Sequence, residues 1–311
     1  MATGSQLEVE GKTLNVTNLN KVLYPDAGFT KGDLINYYIR ISPFLLPHLK
    51  DRPITLKRYP DGVDGLYFYE KKCPSHRPKW VQTTKVAKSE GGVINYCMIN
   101  DLPTLVWAAN LADLELHTFL HQATAIERPT TLAFDLDPGL PADVVTCCEV
   151  GLQLKAIFDA LGLKSFAKTS GSKGLQVYVP LNTTATYEKT KTFARAVAQL
   201  LEQQAPKMIV SKMQKDLRRG KVFVDWSQND DHKTTVNVYS LRAKKRPTVS
   251  TPVAWSEVSE TLKRKDAKVL TFEYADVLKR VEQKGDLFAP VLAFKQKLPR
   301  VNALERLPNF A

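Results

Sequence analysis

The chain has 311 residues, 43% hydrophobic and 24% charged, enough apolar material to bury a sizeable core in one large or two closely packed domains. No apolar run is long enough to span a bilayer, and the opening MATGSQLEVE has neither the basic nor the apolar stretch of a signal peptide; a cytoplasmic protein without a membrane partner is expected. The 44 Lys and Arg against 32 Asp and Glu leave a net charge of +12, which favours a polyanionic partner but names none until the charge is located.

MATGSQ is set aside from the fold reasoning. Residues 1 to 100 read as short β-like runs and turns; in ITLKRYPDGVDGLYFYEKK the tripeptides PDG and VDG punctuate the strands. The four cysteines, Cys73, Cys97, Cys147 and Cys148, form no CxxC pair and no ladder of spacings, so no disulfide is expected and a reducing compartment fits. Cys73-Pro-Ser-His76 has the spacing of metal ligands, but two further ligands are missing, and it reads as a loop. His117 lies in a helix-like run.

From residue 131 the pattern changes. TLAFDLDPG is a strand that ends in a turn, and 141 to 161 carries Val145, Cys148, Leu152 and Ala156 at helical spacing. A strand at 164 to 168, the loop SGSKG and the strand LQVYVP follow. A second helix places Phe193, Val197, Leu200 and Leu201 on one stripe, with Pro206 beyond its end; KVFVDW and TTVNVYS are further strands. This order predicts an α+β fold with mixed or antiparallel sheets flanked by helices. With no repeat or linker, residues 1 to 311 read as a single domain, with a distinct N-terminal portion to about residue 100 ahead of residues 101 to 300.

The chemistry starts with the strand 131 to 137. Side chains alternate, so Asp135 and Asp137 share a face with Ala133 while Leu132, Phe134 and Leu136 face a core. A D-x-D pair alone is a weak signal, but this strand is otherwise apolar, and two carboxylates at the end of a buried element repel unless a cation lies between them. Oxygen donors select Mg2+ or Mn2+. Asp225 in KVFVDWSQND alternates with Val224 and Trp226 and supplies a third carboxylate for two-metal phosphoryl transfer. Between them lies Ser170-Gly171-Ser172-Lys173-Gly174, whose glycines allow close backbone approach and whose hydroxyls and lysine suit a triphosphate. It is not a Walker loop, because GxxxxGK[ST] is absent and a strand follows.

DLDPG, SGSKGLQVYVP and VFVDWSQN, in this order and spacing, resemble the three motifs of archaeo-eukaryotic primases, and more narrowly the polymerase domain of bacterial DNA ligase D. The likeness extends over nearly the whole chain, through NLNKVLYP, DRPITLKRYPDG and LELH to YSLRAKKRPTVSTPVAW. The resemblance implies a primase-polymerase-like core whose metal ligands are Asp135, Asp137 and Asp225, with His117 as an active-site histidine. Ser170, Ser172, Lys173, Gln176, Gln228, Ser240 and Arg242 fall around the incoming nucleotide, Ser172 being the candidate for the 2′-hydroxyl. Lys21 and Lys31 match lysines that hold a 5′-phosphate at a DNA gap, and Phe68 and Tyr69 match an aromatic pair that stacks on the template; the resemblance thus makes the portion to about residue 100, with Lys57 and Arg58, DNA-binding and 101 to 300 the catalytic core.

The implied activity is template-directed addition of ribo- or deoxyribonucleoside triphosphates (NTP or dNTP) to a 3′ end during non-homologous end joining, with a ribonucleotide preference and two divalent ions. The implied partners are DNA with 5′-phosphorylated gaps or ends, Ku, and a DNA ligase separate or fused, since no KxDGxR adenylation motif is present; the implied location is nucleoid-associated in a prokaryotic cytoplasm. One departure stands out. The family has histidine after SGSKGL and this chain has Gln176, which donates hydrogen bonds but cannot become cationic. The alternatives are a stand-alone primase or gap-filling polymerase, and a catalytically silent DNA-end-binding module.

Overall fold

The computed structural model describes residues 4–88 and 90–310. The chain divides into two compact units, each assembled from separated segments. One comprises the N-terminal part to Thr124 with Thr234–Ser250 and Phe272–Gly285; the other comprises Ala125–Lys233, Thr251–Thr271 and the residues from Asp286 onward.

In the first unit, strands ordered Thr235–Val236, Asp113–Thr118, Pro53–Arg58, Val93–Met98 and Thr83–Ala87 form an antiparallel sheet, with Phe68–Glu70 also paired to Pro53–Arg58. LELH therefore lies on a strand, not on the expected helix-like run. Every residue of Asp113–Thr118 is buried, so hydrophobic periodicity was not available to separate the two. A helix at Lys31–Leu49 interrupts the β-like N-terminal portion. Pro43 and Pro47 disguise it in sequence, yet it buries Leu34, Ile41 and Leu45, and it begins with a capping box in which Thr30 and Asp33 each satisfy the other's backbone N–H. MATGSQ is also partly structural: Gly4–Val9 pairs with Lys12–Thr17.

Cys73 and Cys97 form a disulfide, contrary to the expectation from their spacing. The Cys73 N–H donates to the Asn95 carbonyl at 2.7 Å, which brings the loop beside the strand that holds Cys97. Sequence spacing carries no information on such a contact. Cys147 and Cys148 are free and buried.

The second unit is built on a mixed sheet ordered Ile209–Val210, Val222–Asp225, Thr131–Pro138, Leu175–Pro180, Phe166–Thr169 and Pro252–Val253. Only the first pair is parallel. Leu132, Phe134 and Leu136 are fully buried on one face, where Phe134 meets Phe158 of the helix Val144–Ala160. That helix presents Cys147, Val150, Leu154 and Phe158, while Val145, Leu152 and Ala156 of the expected stripe are only half-buried. Gly151 accounts for the rotation: a Cβ there would lie 2.8 Å from the Leu175 side chain, so the helix rests its glycine on the sheet and its flanks turn inward. The helix Tyr187–Gln204 buries Phe193, Val197 and Leu201 as expected, with Leu200 at the margin. TTVNVYS yields only the two-residue strand Thr235–Val236. Among the described residues no helix is long and apolar enough to cross a membrane.

Candidate active site

In the second unit, sheet register sets four polar side chains in one row. Asp225 is the cross-strand partner of Asp135, Asp135 of Gln176, and Gln176 of Lys168. Directly opposed residues in adjacent strands share a face, so the row runs carboxylate, carboxylate, amide, ammonium. The opposite face is the apolar core under the helix Val144–Ala160. Buckling of the row is resisted at Ala133, whose N–H donates to the fully buried Asn229 side chain while the Asn229 amide donates back to the Ala133 carbonyl.

Asp225 is held firmly. Its Oδ1 accepts from the backbone N–H and the hydroxyl of Ser227, and its Oδ2 accepts from the Gln228 amide at 3.0 Å. Gln228, expected near the nucleotide, thus orients a carboxylate. Asp137 projects from the same strand face as Asp135 and meets two cations, Lys173 Nζ at 3.2 Å and Arg218 at 3.6 Å. Arg218 belongs to no motif in the sequence; its guanidinium stacks 3.8 Å from the Phe223 ring, and Phe223 is the cross-strand partner of Asp137. Burial pushes the Asp135 carboxyl up to about 6, and the charges of Asp137 and Asp225 push the same way; a hydrogen bond from Gln176 and the charge of Lys168 oppose them.

The loop after Thr169 is built to hold its backbone open. Ser170 Oγ accepts the N–H groups of Ser172 and Gly174 at 3.2 and 3.0 Å, and Lys173 Nζ also donates to the Pro138 carbonyl. Gly171 has φ +66°, and a Cβ on Gly174 would fall 2.2 Å from the Leu136 carbonyl oxygen, so the loop lies directly against the carboxylate strand. Ser170 is buried, whereas Ser172 and Lys173 are exposed.

Among the described residues no three His, Cys, Asp or Glu side chains already converge on a metal position. The donor set nevertheless fits a hard divalent ion. Three carboxylates lie on two adjacent strands, and Asp135 is a half-buried acid raised first by its desolvation and then by the charges of Asp137 and Asp225.

The first unit carries a separate polar cluster. Glu115, buried to 1% exposure, faces His117 Nε2 at 2.9 Å, Lys57 Nζ at 3.3 Å and Arg242 Nε at 3.4 Å, and its Oε1 accepts the Ala243 N–H. Burial pushes this carboxyl up, but the hydrogen bond from His117 and the charge of Arg242 lead a set of contacts that hold it well below the ordinary carboxylate range. Burial keeps His117 below its usual range, so it is neutral near pH 7. Lys57 also lies 4.9 to 5.4 Å from the rings of Tyr59, Tyr67 and Tyr69, and Tyr69 stands edge-on to His117.

Phe68 and Tyr69 are both about half-exposed, but they do not share a face: Tyr69 pairs with Lys57, Phe68 with Arg58. Leu66 and Tyr67 are exposed as well, so 66–69 forms a run of apolar surface. Ser240 is fully buried; its hydroxyl accepts the Leu116 N–H and donates to the Leu241 carbonyl, a bracing role. Glu115 went unnoticed in the sequence, although alternation in LELH places it on the face of His117.

Lys21 and Lys31 are tied by backbone, the Lys31 N–H donating to the Lys21 carbonyl at 2.8 Å. Lys31 opens the helix Lys31–Leu49, whose dipole favours an anion at this end, while the N–H groups of Lys31, Gly32 and Asp33 are taken by the Lys21 and Leu19 carbonyls and the Thr30 hydroxyl. Its ammonium is brought down to about 8 by burial, then by the charges of Lys21 and Arg58. Lys21 Nζ bonds Asp61 at 2.7 Å, and Arg58 bonds Glu70 at 2.6 Å.

The family model "LigD, primase-polymerase domain" matches residues 30–288. The chain belongs to this family. It is 39% identical over 280 residues to the multifunctional non-homologous end joining protein LigD of Mycolicibacterium smegmatis, covering 89% of this chain and 36% of that one. It is 32% identical to the bifunctional LigD of Bacillus subtilis, covering 88% of this chain and 43% of that protein. The chain thus spans well under half the length of these relatives. The polymerase domain of Mycobacterium tuberculosis ligase D, solved in complex with DNA, matches with a TM-score of 0.83 at 37% identity, covering 91% of this chain and 99% of that one. The α+β architecture is that of the LigD polymerase domain.

Proposed function

We propose that this LigD-type domain is a template-directed nucleotidyltransferase that fills gaps and extends 3′ ends with a preference for ribonucleotides in DNA end joining. The observation that carries this reading is the Asp225–Asp135 pair on adjacent strands, with Asp137 beside them and the Ser170–Gly174 loop packed against the same strand.

Asp135, Asp137 and Asp225 would hold Mg2+ or Mn2+, which when bound activates the 3′-hydroxyl and neutralises charge on the triphosphate. Ser227 and Gln228 fix the Asp225 rotamer, so one ligand is oriented in advance. Lys173 and Arg218, now on Asp137, are cations that an incoming triphosphate would draw away, freeing the carboxylate as substrate enters. The open loop backbone and Ser172 face solvent, available to phosphate and sugar oxygens.

In the first unit, the Glu115-anchored face of Lys57, His117, Arg242 and Tyr69 is a rigid nucleotide platform. Leu66–Tyr69 supplies stacking surface for unpaired template bases. Lys21 and Lys31 receive a 5′-phosphate, for which the depressed Lys31 value is the support: an ammonium short of negative charge gains most from a dianion. DNA with 5′-phosphorylated gaps is the partner this implies, with Ku and a DNA ligase, separate or fused, acting on the same ends.

The deciding assay is extension on a gapped, 5′-phosphorylated duplex with Mn2+, comparing NTPs with dNTPs. Extension that follows the template and favours NTPs is expected. Binding without extension would leave only an end-binding module, and synthesis without a primer terminus would make the domain a primase.

A further inference from the structure

Lys168 is 1% exposed, an unusual place for an ammonium. It ends the polar row on the side away from Asp225, with Pro252 as its outer neighbour. Its Nζ donates to Gln176 Oε1 at 2.5 Å and lies 5.5 Å from the Tyr178 ring. The Tyr178 hydroxyl donates to the same oxygen at 3.2 Å.

These contacts determine which way the amide points. An ammonium has no lone pair to offer, so the atom it meets must be the amide oxygen. Gln176 is 3% exposed and fixed on one side by Lys168 and Tyr178, so its NH2 group is directed to the other side of the row, toward its cross-strand partner Asp135. Gln176 is thereby occupied within the sheet, and a direct bond to a triphosphate would require breaking this chain of contacts.

We propose that Lys168 is a positioning residue that acts through Gln176: it locks the amide so that Gln176 donates to Asp135 and holds that carboxylate in the rotamer that receives a divalent cation. The inference rests on the assignment of Asp135 as a metal ligand made above. The row then has a direction: a buried cation orders an amide, the amide orders a carboxylate, and the carboxylate presents its remaining oxygen. Without Lys168 only the Tyr178 hydroxyl remains on that side, and a hydroxyl can accept as well as donate, so the amide can turn its oxygen toward Asp135 and two acceptors would then face each other.

The sign of the metal response separates this role from a merely electrostatic or structural one. As a bare charge, Lys168 repels a divalent ion, and removing it tightens Mn2+ binding. As a positioning residue, its removal loosens binding. Mn2+ affinity is measured without nucleotide or DNA, by electron paramagnetic resonance of the free ion, for wild type, Lys168→Met, Lys168→Arg, Gln176→Met and the Lys168→Met/Gln176→Met double variant. Each Met variant is expected to bind Mn2+ about fivefold to tenfold more weakly, and the double variant no more weakly than either single one, because both interrupt one chain of contacts. Lys168→Arg, which retains the donor and is the fallback should Lys168→Met not fold, should stay within about twofold of wild type. In extension assays kcat should fall with the Met variants while the nucleotide KM changes less than about twofold.

Unchanged or tighter Mn2+ binding in Lys168→Met, or fully additive losses in the double variant, would overturn the proposal. So would a shift confined to the nucleotide KM, which would return Gln176 to the triphosphate. Asp135→Ala is the control: if wild type and Asp135→Ala bind Mn2+ alike, the metal assignment itself fails, whereas wild-type binding and extension with no effect at Lys168 refutes only the present inference.

Discussion

Two carboxylates in this chain, the buried Glu115 and the half-buried Asp135, meet opposite electrostatic fates. Glu115 in the first unit is surrounded by His117, Lys57 and Arg242 and is held well below the ordinary carboxylate range. Asp135 in the second has two acids among its neighbours, and burial together with their charge pushes it up to about 6. Glu115 is the less exposed of the two yet the one held low, so burial does not separate them; the groups around each carboxylate do. Glu115 is a completed arrangement, whereas Asp135 is short of positive charge in the folded protein. Lys31 is its mirror image, a cation beside Lys21 and Arg58, brought down to about 8. Unbalanced charge that a fold tolerates indicates the sign of what binds there.

The strongest way to break the comparison is to delete the carboxylates of the uncompensated site. Asp135→Ala or Asp137→Ala should lower nucleotide addition by about a thousandfold or more while leaving DNA affinity within about twofold, because metal ligands serve chemistry and lysines serve binding. Primer extension and fluorescence anisotropy on one gapped duplex measure the two. More than a small residual rate in either variant would contradict the metal assignment.

Neutralising the two acids should have unlike effects on folding. Glu115→Gln leaves Lys57, His117 and Arg242 facing a neutral amide and should destabilise the protein by about 3 kcal/mol, the size expected when one partner of a buried ion pair is removed. Asp135→Asn, measured by urea unfolding without metal, should be neutral or stabilising, since it removes an acid that its neighbours repel. Equal losses would mean that the two sites are not electrostatically distinct.

The cationic site gives a smaller and testable difference. Wild type should bind a gapped duplex bearing a 5′-phosphate about tenfold more tightly than the unphosphorylated duplex, roughly 1.4 kcal/mol, and Lys21→Ala with Lys31→Ala should abolish that preference. At fixed salt the preference should weaken as pH rises through about 8, where the Lys31 ammonium loses its proton. Equal wild-type affinity for both ends would exclude phosphate recognition and leave a primase-like enzyme without this specialisation.

The smallest expected effect is the pH dependence of the metal-free fold. Asp135 has a higher pKa folded than unfolded, so its contribution to stability is fully present below about pH 4 and is lost as pH rises through about 6. Relative to Asp135→Asn, the metal-free wild type should lose a few degrees of melting temperature between these limits, roughly the response to 1 kcal/mol. Mn2+ should restore it above pH 6. A difference curve without slope would mean that Asp135 already has its compensation.

Local pattern made part of this readable in advance. Alternation in TLAFDLDPG puts Asp135 and Asp137 on one face, since a strand has a two-residue period whatever its surroundings, and the loop and strand of SGSKGLQVYVP follow from Gly/Ser chemistry beside a run rich in Val and Tyr. Where both faces are buried that period disappears, so LELH carries no strand signal, and two prolines hide the helix Lys31–Leu49. Pairing between distant strands has no local signal at all. Composition, charge sign, the motif order and the faces of exposed strands were determined by the sequence itself. Only the tertiary structure decided that Asp225, Asp135, Gln176 and Lys168 fall in one row, that Cys73 meets Cys97 and that Glu115 gathers Lys57, Arg242 and His117. Register between strands is chosen by the packing of the whole sheet, and the field at each carboxylate is the sum over groups that the chain brings together only when it folds.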